Sequence, residues 1–231
     1  MPKIVDHRER RKAVAEAASE LIATTGVGAL TIRAVADSLR YSAAIVQHYF
    51  PNKRDLLLYT LRYEGGRGQE RVMQALANDP GNTLGLLAAL MPIDEARIRS
   101  WKTWIAYLGT ASYDTNVALE QKRLFSAVRD MIVHSLTVSA GEAGLRPALD
   151  LQAIARQLVL SVHGIGMDFM ISPEEWPPEQ QLKTVARLIE ALSGLPVESY
   201  LKVELARLKP ARSGRNDRAA GGRKQRATAG G

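Results

Sequence analysis

The chain has 231 residues, a formal net charge of +7 and no cysteine; it is long enough for two compact helical units, and disulfides, thiolate metal sites and thiol nucleophiles are excluded. The longest nearly uninterrupted apolar run, 84–93, is too short to span a bilayer, and the opening MPKIVDHRERRK has no apolar signal core, so a cytoplasmic protein without a membrane partner is expected. The charge is uneven, with nine Lys/Arg against six Asp/Glu in 1–55, fifteen against seventeen in 56–208, and seven against one in 209–231.

In chain order, Asp6 with Glu9 predicts a capping box, and Ala13, Ala17, Leu21 and Ile22 give the first helix an apolar stripe ending before Gly26. Arg8, Arg10, Arg11 and Lys12 gather near its start, where they suit either flanking phosphate or a solvated face. Thr31 is a natural N-cap, and Ile32, Val35, Ala36 and Leu39 form one face of a two-turn helix. Arg40 and Tyr41 make a short turn. Ser42 then caps a second short helix that ends at Phe50, with Val46 and Phe50 inward and Ala43, Ala44, Gln47 and His48 outward. Small residues at the N-terminal end, where a backbone approaches a groove, followed by polar groups one turn later, are the layout of a recognition helix. Taken alone, the segment also fits an ordinary alanine-rich surface helix. Pro51 stops it, and Asn52 with Asp55 opens the next helix through a capping box. Lys53 and Arg54 lie in that first turn, where the helix dipole disfavours cations, so a nearby anion is expected, phosphate being the obvious one.

The fourth helix runs from Asn52 through Leu56, Leu57 and Leu61 toward Val72. Gly65, Gly66 and Gly68 in its interior, each about 0.5 to 1 kcal/mol worse than Ala, predict a bend or break there, serving as a hinge or nothing at all. No strand precedes them and no Gly-Lys-Ser/Thr follows, so a phosphate loop is excluded. Beyond Asp79-Pro80-Gly81 the pattern is helical throughout. The predicted helices cover 83–91; 94 to about 113, with Ile98, Trp101, Ile105 and Leu108 inward and Trp104 and Tyr107 on an adjoining face; and about 116–140, using Leu124, Val128 and Met131. A further helix at about 150–171 carries the seam Leu151, Ile154, Leu158, Val162, Ile165 and Phe169, and after a 173–178 loop Leu182, Val185, Ile189 and Leu192 continue it. Gly164 and Gly166 would allow another helix to approach closely. Residues 196–208 add a terminal helix. Residues 209–231, rich in Arg, Gly and Ala, read as a disordered basic tail, either solvated or a source of salt-sensitive DNA affinity.

No G-x-S-x-G, H-E-x-x-H or C-x-x-C motif occurs, so neither a cofactor nor a metal site is predicted. A helical enzyme or metal-binding bundle survives as an alternative on the possible convergence of His134, His163 and Asp168. The aromatic set Trp101, Trp104, Tyr107, Tyr113 and Phe125 suggests a pocket attractive to cations, although aromatics at helical spacing more often form core.

The ordered signals over 7–57, namely a Thr-capped helix, a short turn, a Ser-capped helix ending in His48-Tyr49-Phe50, and Asn52-Lys53 opening another, resemble the N-terminal domain of the TetR family of transcriptional regulators. Within it, S-x-x-I-[IV]-x-H-Y-F at 42–50 resembles the choline-responsive repressors of betaine synthesis, the BetI-like group. Two positions depart from the family pattern. Arg40 replaces the usual Gly, at roughly 1 kcal/mol if the left-handed conformation is kept, and Gln47 replaces a frequent Tyr, supplying an amide that pairs bidentately with adenine. The resemblance implies an all-α fold with a helix-turn-helix DNA-binding domain at 1–57, joined by a long helix to a helical effector-binding and dimerisation domain at 58–208, and the tail at 209–231. It implies a ligand-responsive regulator, more specifically a repressor, that binds a palindromic double-stranded operator as a homodimer through the helices at about 150–171 and 179–193. Thr31, Arg40, Tyr41, Ser42, Ala43, Ala44, Gln47, His48, Tyr49 and Lys53 would meet DNA. Trp101, Trp104, Tyr107, Phe125, Met131, His134, His163 and Met167 would line the effector pocket, its ligand a small molecule and, by the choline analogy, a cation. The remaining rival is a nucleoid-type protein that binds DNA without sequence preference.

Overall fold

The computed structural model describes residues 7–144 and 150–208, and these form ten α-helices and one 3-10 turn. The helices are α1 His7–Thr25, α2 Ile32–Leu39, α3 Ala43–Tyr49, α4 Lys53–Asn78, α5 Thr83–Ala88, α6 Glu95–Ala111, α7 Thr115–Glu142, α8 Leu151–Ile171, α9 Pro178–Ser193 and α10 Glu198–Leu208, with the 3-10 turn at Val27–Ala29. The expected Asp6 cap and the 209–231 tail lie outside the described residues.

Side-chain caps set most of the boundaries. Thr31 Oγ1 accepts from the Ala34 N–H at 3.0 Å, Ser42 Oγ from Ile45 at 3.4 Å, Asn52 Oδ1 from Asp55 at 2.9 Å and Asp94 Oδ1 from Arg97 at 2.8 Å. Each satisfies an N–H that the first helical turn leaves free. The α2–α3 turn keeps the left-handed conformation on Arg40, at φ 56° and ψ 36°, and no other non-glycine described residue has positive φ.

Two apolar cores share α6. The N-terminal one joins Val14, Ala18, Ile22, Val35, Val46, Phe50 and Leu61 with Tyr107 of α6 and Val117 of α7. The larger one runs from Val72 of α4 through α5 to α10 and takes Trp101 from α6. Because α6 lies between α1 and α4 on one side and α7 and α8 on the other, its apolar stripe differs from the expected one: Trp101 and Tyr107 are buried, while Leu108 is exposed. For the same reason α1, which packs on both α4 and α6, buries Val14, Ala18 and Ile22 rather than a row through Ala13 and Ala17.

The predicted break in α4 does not occur, since the helix is continuous for 26 residues. Gly65 instead lets α7 come close: a Cβ there would sit 2.6 Å from Leu124 Cδ1. Gly166 of α8 does the same for α6, where a Cβ would lie 2.2 Å from Trp101 Cη2, whereas Gly164 faces open space.

The expected dimer seam needs correcting too. Ile154, Leu158, Val162 and Ile165 of α8, with Leu182, Val185 and Ile189 of α9, are buried within the chain itself. A second stripe, Leu160, Gly164, Met167 and Ile171, runs along the outer face of α8, with Leu160 64% and Ile171 79% exposed. With apolar residues on both faces, α8 has the length and mean hydropathy, 1.2, of a membrane-crossing helix. Its inner row is nevertheless packed as a core helix is.

Candidate nucleic-acid interface and internal cavity

The α3 helix presents two opposite rows. Val46 and Phe50 are buried in the N-terminal core, and Ala43, Ala44, Gln47 and His48 are exposed. Thr31, Arg40, Ser42 and Lys53 surround that face and are also exposed, while Tyr41 and Tyr49 are half-buried. In the cap contacts the Thr31 and Ser42 oxygens act as acceptors, a role that does not use their hydroxyl hydrogens. Lys53 Nζ donates to the Val27 carbonyl at 3.2 Å, which holds it against the 3-10 turn.

The start of α1 reaches this surface. The His7 ring lies 6.2 Å from that of His48 and 5.7 Å from that of Tyr49, and Arg10 lies over the Tyr41 ring at 5.6 Å. Arg11 covers the Phe50 and Tyr59 rings at 5.1 and 4.7 Å, so this member of the basic cluster packs on aromatic faces. No spacing rule links His7 to α3, since 41 positions separate it from His48.

Arg54 corrects an expectation. Its anion is Asp114, the N-cap of α7, held by paired hydrogen bonds of 2.9 and 3.1 Å. The Arg54 hydrogen bond holds the Asp114 carboxyl down at about 2. A carboxylate at the start of α7 thus answers a cation in the first turn of α4.

Behind this contact, α4, α5, α6, α7 and α8 line a partly open cavity of about 130 Å³. Of the eight expected pocket residues, Trp101, Trp104, Tyr107, Phe125 and His163 line it. Met131, His134 and Met167 do not: His134 and Met167 are exposed on the outer faces of α7 and α8, and Met131 packs against the larger core. Helical spacing placed all three on the right elements, but His134 and Met167 face outward and Met131 enters the core away from the cavity. Tyr107 directs its hydroxyl away, donating to the Leu57 carbonyl at 2.8 Å, and Tyr113 is 80% exposed. Asp168 accepts from Trp176 Nε1, and no group of three or more potential metal-ligating side chains occurs among the described residues.

The aromatic residues enclose a side chain of the protein itself. His163 stacks on Trp104 at 4.9 Å, meets Phe125 edge-on at 4.7 Å and lies 5.8 Å from Trp101. Burial pushes its pKa down to about 4, so the imidazole is neutral near pH 7.

Several cavity groups escaped the sequence reading. Glu64 is buried, with Oε1 accepting from Ser19 at 2.8 Å and Oε2 from Ser100 at 2.9 Å, and Arg67 lies 3.5 Å from it. Gln121 Oε1 accepts from Trp104 Nε1 at 3.1 Å, leaving its buried Nε2 without a partner. Arg71 also lines the space. The hydrogen-bond partners of Glu64 and Gln121 lie 17 to 45 positions away, beyond any local pattern.

Comparison with known proteins accounts for both halves. Residues 14–60 match the model described as bacterial regulatory proteins of the tetR family, and 83–194 match that of the BetI-type transcriptional repressor C-terminal domain. The chain is 27% identical over 208 residues to the regulator BetI of Rhizobium meliloti, covering 89% of this chain and 94% of that one. It is 30% identical over 136 residues to BetI of Yersinia pestis, covering 54% and 68%. A solved transcriptional regulator from Saccharomonospora viridis in complex with choline superposes with a TM-score of 0.72 at 19% identity, over 79% of this chain and 96% of that one. The chain therefore belongs to the TetR family, with a BetI-type C-terminal region, and is a DNA-binding transcriptional regulator rather than an enzyme.

Proposed function

We propose that the chain is a homodimeric cytoplasmic repressor that places one α3 in the major groove of each half of a palindromic operator and lets go when a small molecule occupies the cavity. The observation that carries this is the exposed row Ala43, Ala44, Gln47 and His48 on a capped helix whose opposite row is fixed in the core. Gln47 reads a base edge, the two alanines permit close approach, and Thr31, Arg40, Tyr41, Ser42, His48, Tyr49 and Lys53 position the backbone. Residues 1–57 serve as the DNA-binding domain and 58–208 as the effector and dimerisation domain. The outer α8 stripe of Leu160, Gly164, Met167 and Ile171, with the neighbouring face of α9, meets the same surface of a second copy.

Three contacts carry the cavity's state to α3: Leu124 against Gly65, the Tyr107 hydroxyl on Leu57, and Arg54 with Asp114. All three fall on α4, whose first turn follows α3 directly. A tilt of α4 would shift the two recognition helices away from the roughly 34 to 36 Å that separates successive major grooves. A coupling of about 1 to 3 kcal/mol suffices for a switch.

A cationic effector is a second reading, favoured by the choline held by the Saccharomonospora neighbour. Against it, His163 fills the Trp101, Trp104 and Phe125 box.

Selection of bound sequences from a random DNA pool tests the main reading, with a palindrome expected. Gln47→Ala should lose about 1 to 3 kcal/mol of discrimination at one base pair per half-site, while Lys53→Ala should weaken all sequences alike and lower the salt slope by about 1. A pool without symmetry, or equal effects of both substitutions, would favour a non-specific DNA binder.

A further inference from the structure

Resting on the effector reading above, we infer that the cavity takes a small carboxylate with a compact apolar body, its anionic group held by Arg71 and the Gln121 amide. Two carbonyl-type acceptors of the wall are in use: both Glu64 oxygens receive hydroxyl hydrogens from Ser19 and Ser100, and Gln121 Oε1 receives the Trp104 N–H. Two side chains of the wall keep donors unpaired. Gln121 Nε2 is buried with no partner, and its identity as the nitrogen follows from the Trp104 N–H fixing the other amide atom as oxygen. Arg71 donates Nε–H to the Ala89 carbonyl at 3.1 Å, and its remaining N–H groups have no hydrogen-bond partner among the described residues.

Charge points the same way. Arg97 pairs with Asp94 at 2.8 Å and Arg67 with Glu64 at 3.5 Å, whereas Arg71 has no carboxylate within ion-pair distance among the described residues. Burial, then the like charges of Arg97 and Arg67, lower its pKa, and the more distant carboxylates of Glu64 and Asp94 offset only part of this. A half-buried guanidinium with free donors suits a planar carboxylate. A cation entering the same space would meet the Arg71 charge and offer no acceptor to either donor.

The apolar part of the wall comes from Leu87, Leu90, Phe125, Val128, Val159 and Val162. An engineered apolar cavity of about 150 Å³ holds benzene, so about 130 Å³ suits a body of one ring or a short branched chain.

The test is calorimetry and tryptophan fluorescence on the full chain at pH 7 with benzoate, isovalerate, the neutral isostere benzamide, and choline. Benzoate should saturate at least tenfold more tightly than benzamide, a comparison that needs no variant. Arg71→Gln should reduce benzoate affinity at least tenfold and leave benzamide within about twofold, while Arg71→Lys retains part of the preference. Equal affinity for benzoate and benzamide, tighter binding of choline, or no saturable carboxylate signal would overturn the assignment. Operator selection and the Gln47→Ala result do not depend on these ligands, so a failure here leaves the regulator reading to be judged on its own experiment.

Discussion

On α3 the residues that meet solvent lie between positions 43 and 48, within two turns of the Ser42 cap that starts the helix, and their exposure follows from local periodicity once Val46 and Phe50 are buried. The cavity, by contrast, draws on positions from 61 to 163 on five helices, and its polar wall is finished by contacts such as Glu64 with Ser19 and Trp104 with Gln121. A surface that reads a duplex can be written in a few consecutive turns. A space that selects a small molecule exists only where several helices fail to meet, so its chemistry is set by whichever side chains each helix happens to turn inward.

The largest effect expected from this contrast is a pH dependence belonging to the cavity alone. His163 titrates near 6.5 when unfolded and about 4 when folded, so between these values the unfolded chain binds the extra proton and stability falls as pH drops. At about 1.4 kcal/mol per unit the loss approaches about 3 kcal/mol below pH 4. His163→Phe should flatten urea-denaturation stability between pH 6.5 and 4; an unchanged slope would mean the imidazole is not buried as described.

The recognition turn supplies a smaller effect of opposite sign. Arg40 holds a left-handed conformation that disfavours a Cβ, so Arg40→Gly should relieve roughly 1 kcal/mol of strain and lose about half of it to the freer unfolded chain. A net gain of about 0.5 kcal/mol in urea denaturation is expected. A loss would show that the arginine stem packs in a way that outweighs the backbone cost.

The smallest effect lies where the two regions meet. Asp114 is depressed from 3.8 to about 2 by Arg54, so the contact stabilises fully above about pH 4 and fades as pH falls toward 2. Arg54 is 56% exposed, and solvent screening keeps the contribution small. Asp114→Asn preserves an N-cap residue while removing the charge; it should lower Tm slightly at pH 7, and the difference should shrink in high salt and toward pH 3. Constant differences under both conditions would assign the loss to capping instead.

Much of the fold was legible because caps and periodicity are short-range. Thr31, Ser42, Asn52 and Asp94 begin helices as their hydrogen-bonding capacity dictates, and the Asn52-Asp55 pair closes on itself at 2.9 Å. Where a helix touches several neighbours, periodicity placed residues on the right element but not on the right side: Leu108 is exposed, and His134 and Met167 turn outward. The glycines of α4 misled for a related reason. Their intrinsic cost argued for a break, but packing along the whole helix outweighs it, and Gly65 is used for the approach of Leu124.

The sequence by itself determined the helical class, the two-helix reading unit with its exposed Gln47, and the absence of cysteine chemistry, since each rests on interactions within a few residues or on composition. Only tertiary structure decided that Asp114 answers Arg54, that His163 occupies the aromatic box, that the apolar seam of α8 and α9 is internal, and that Arg71 and Gln121 keep donors in reserve. Those outcomes depend on partners brought together by chain reversal, and nothing in the spacing of residues along one helix encodes the rotation of the next.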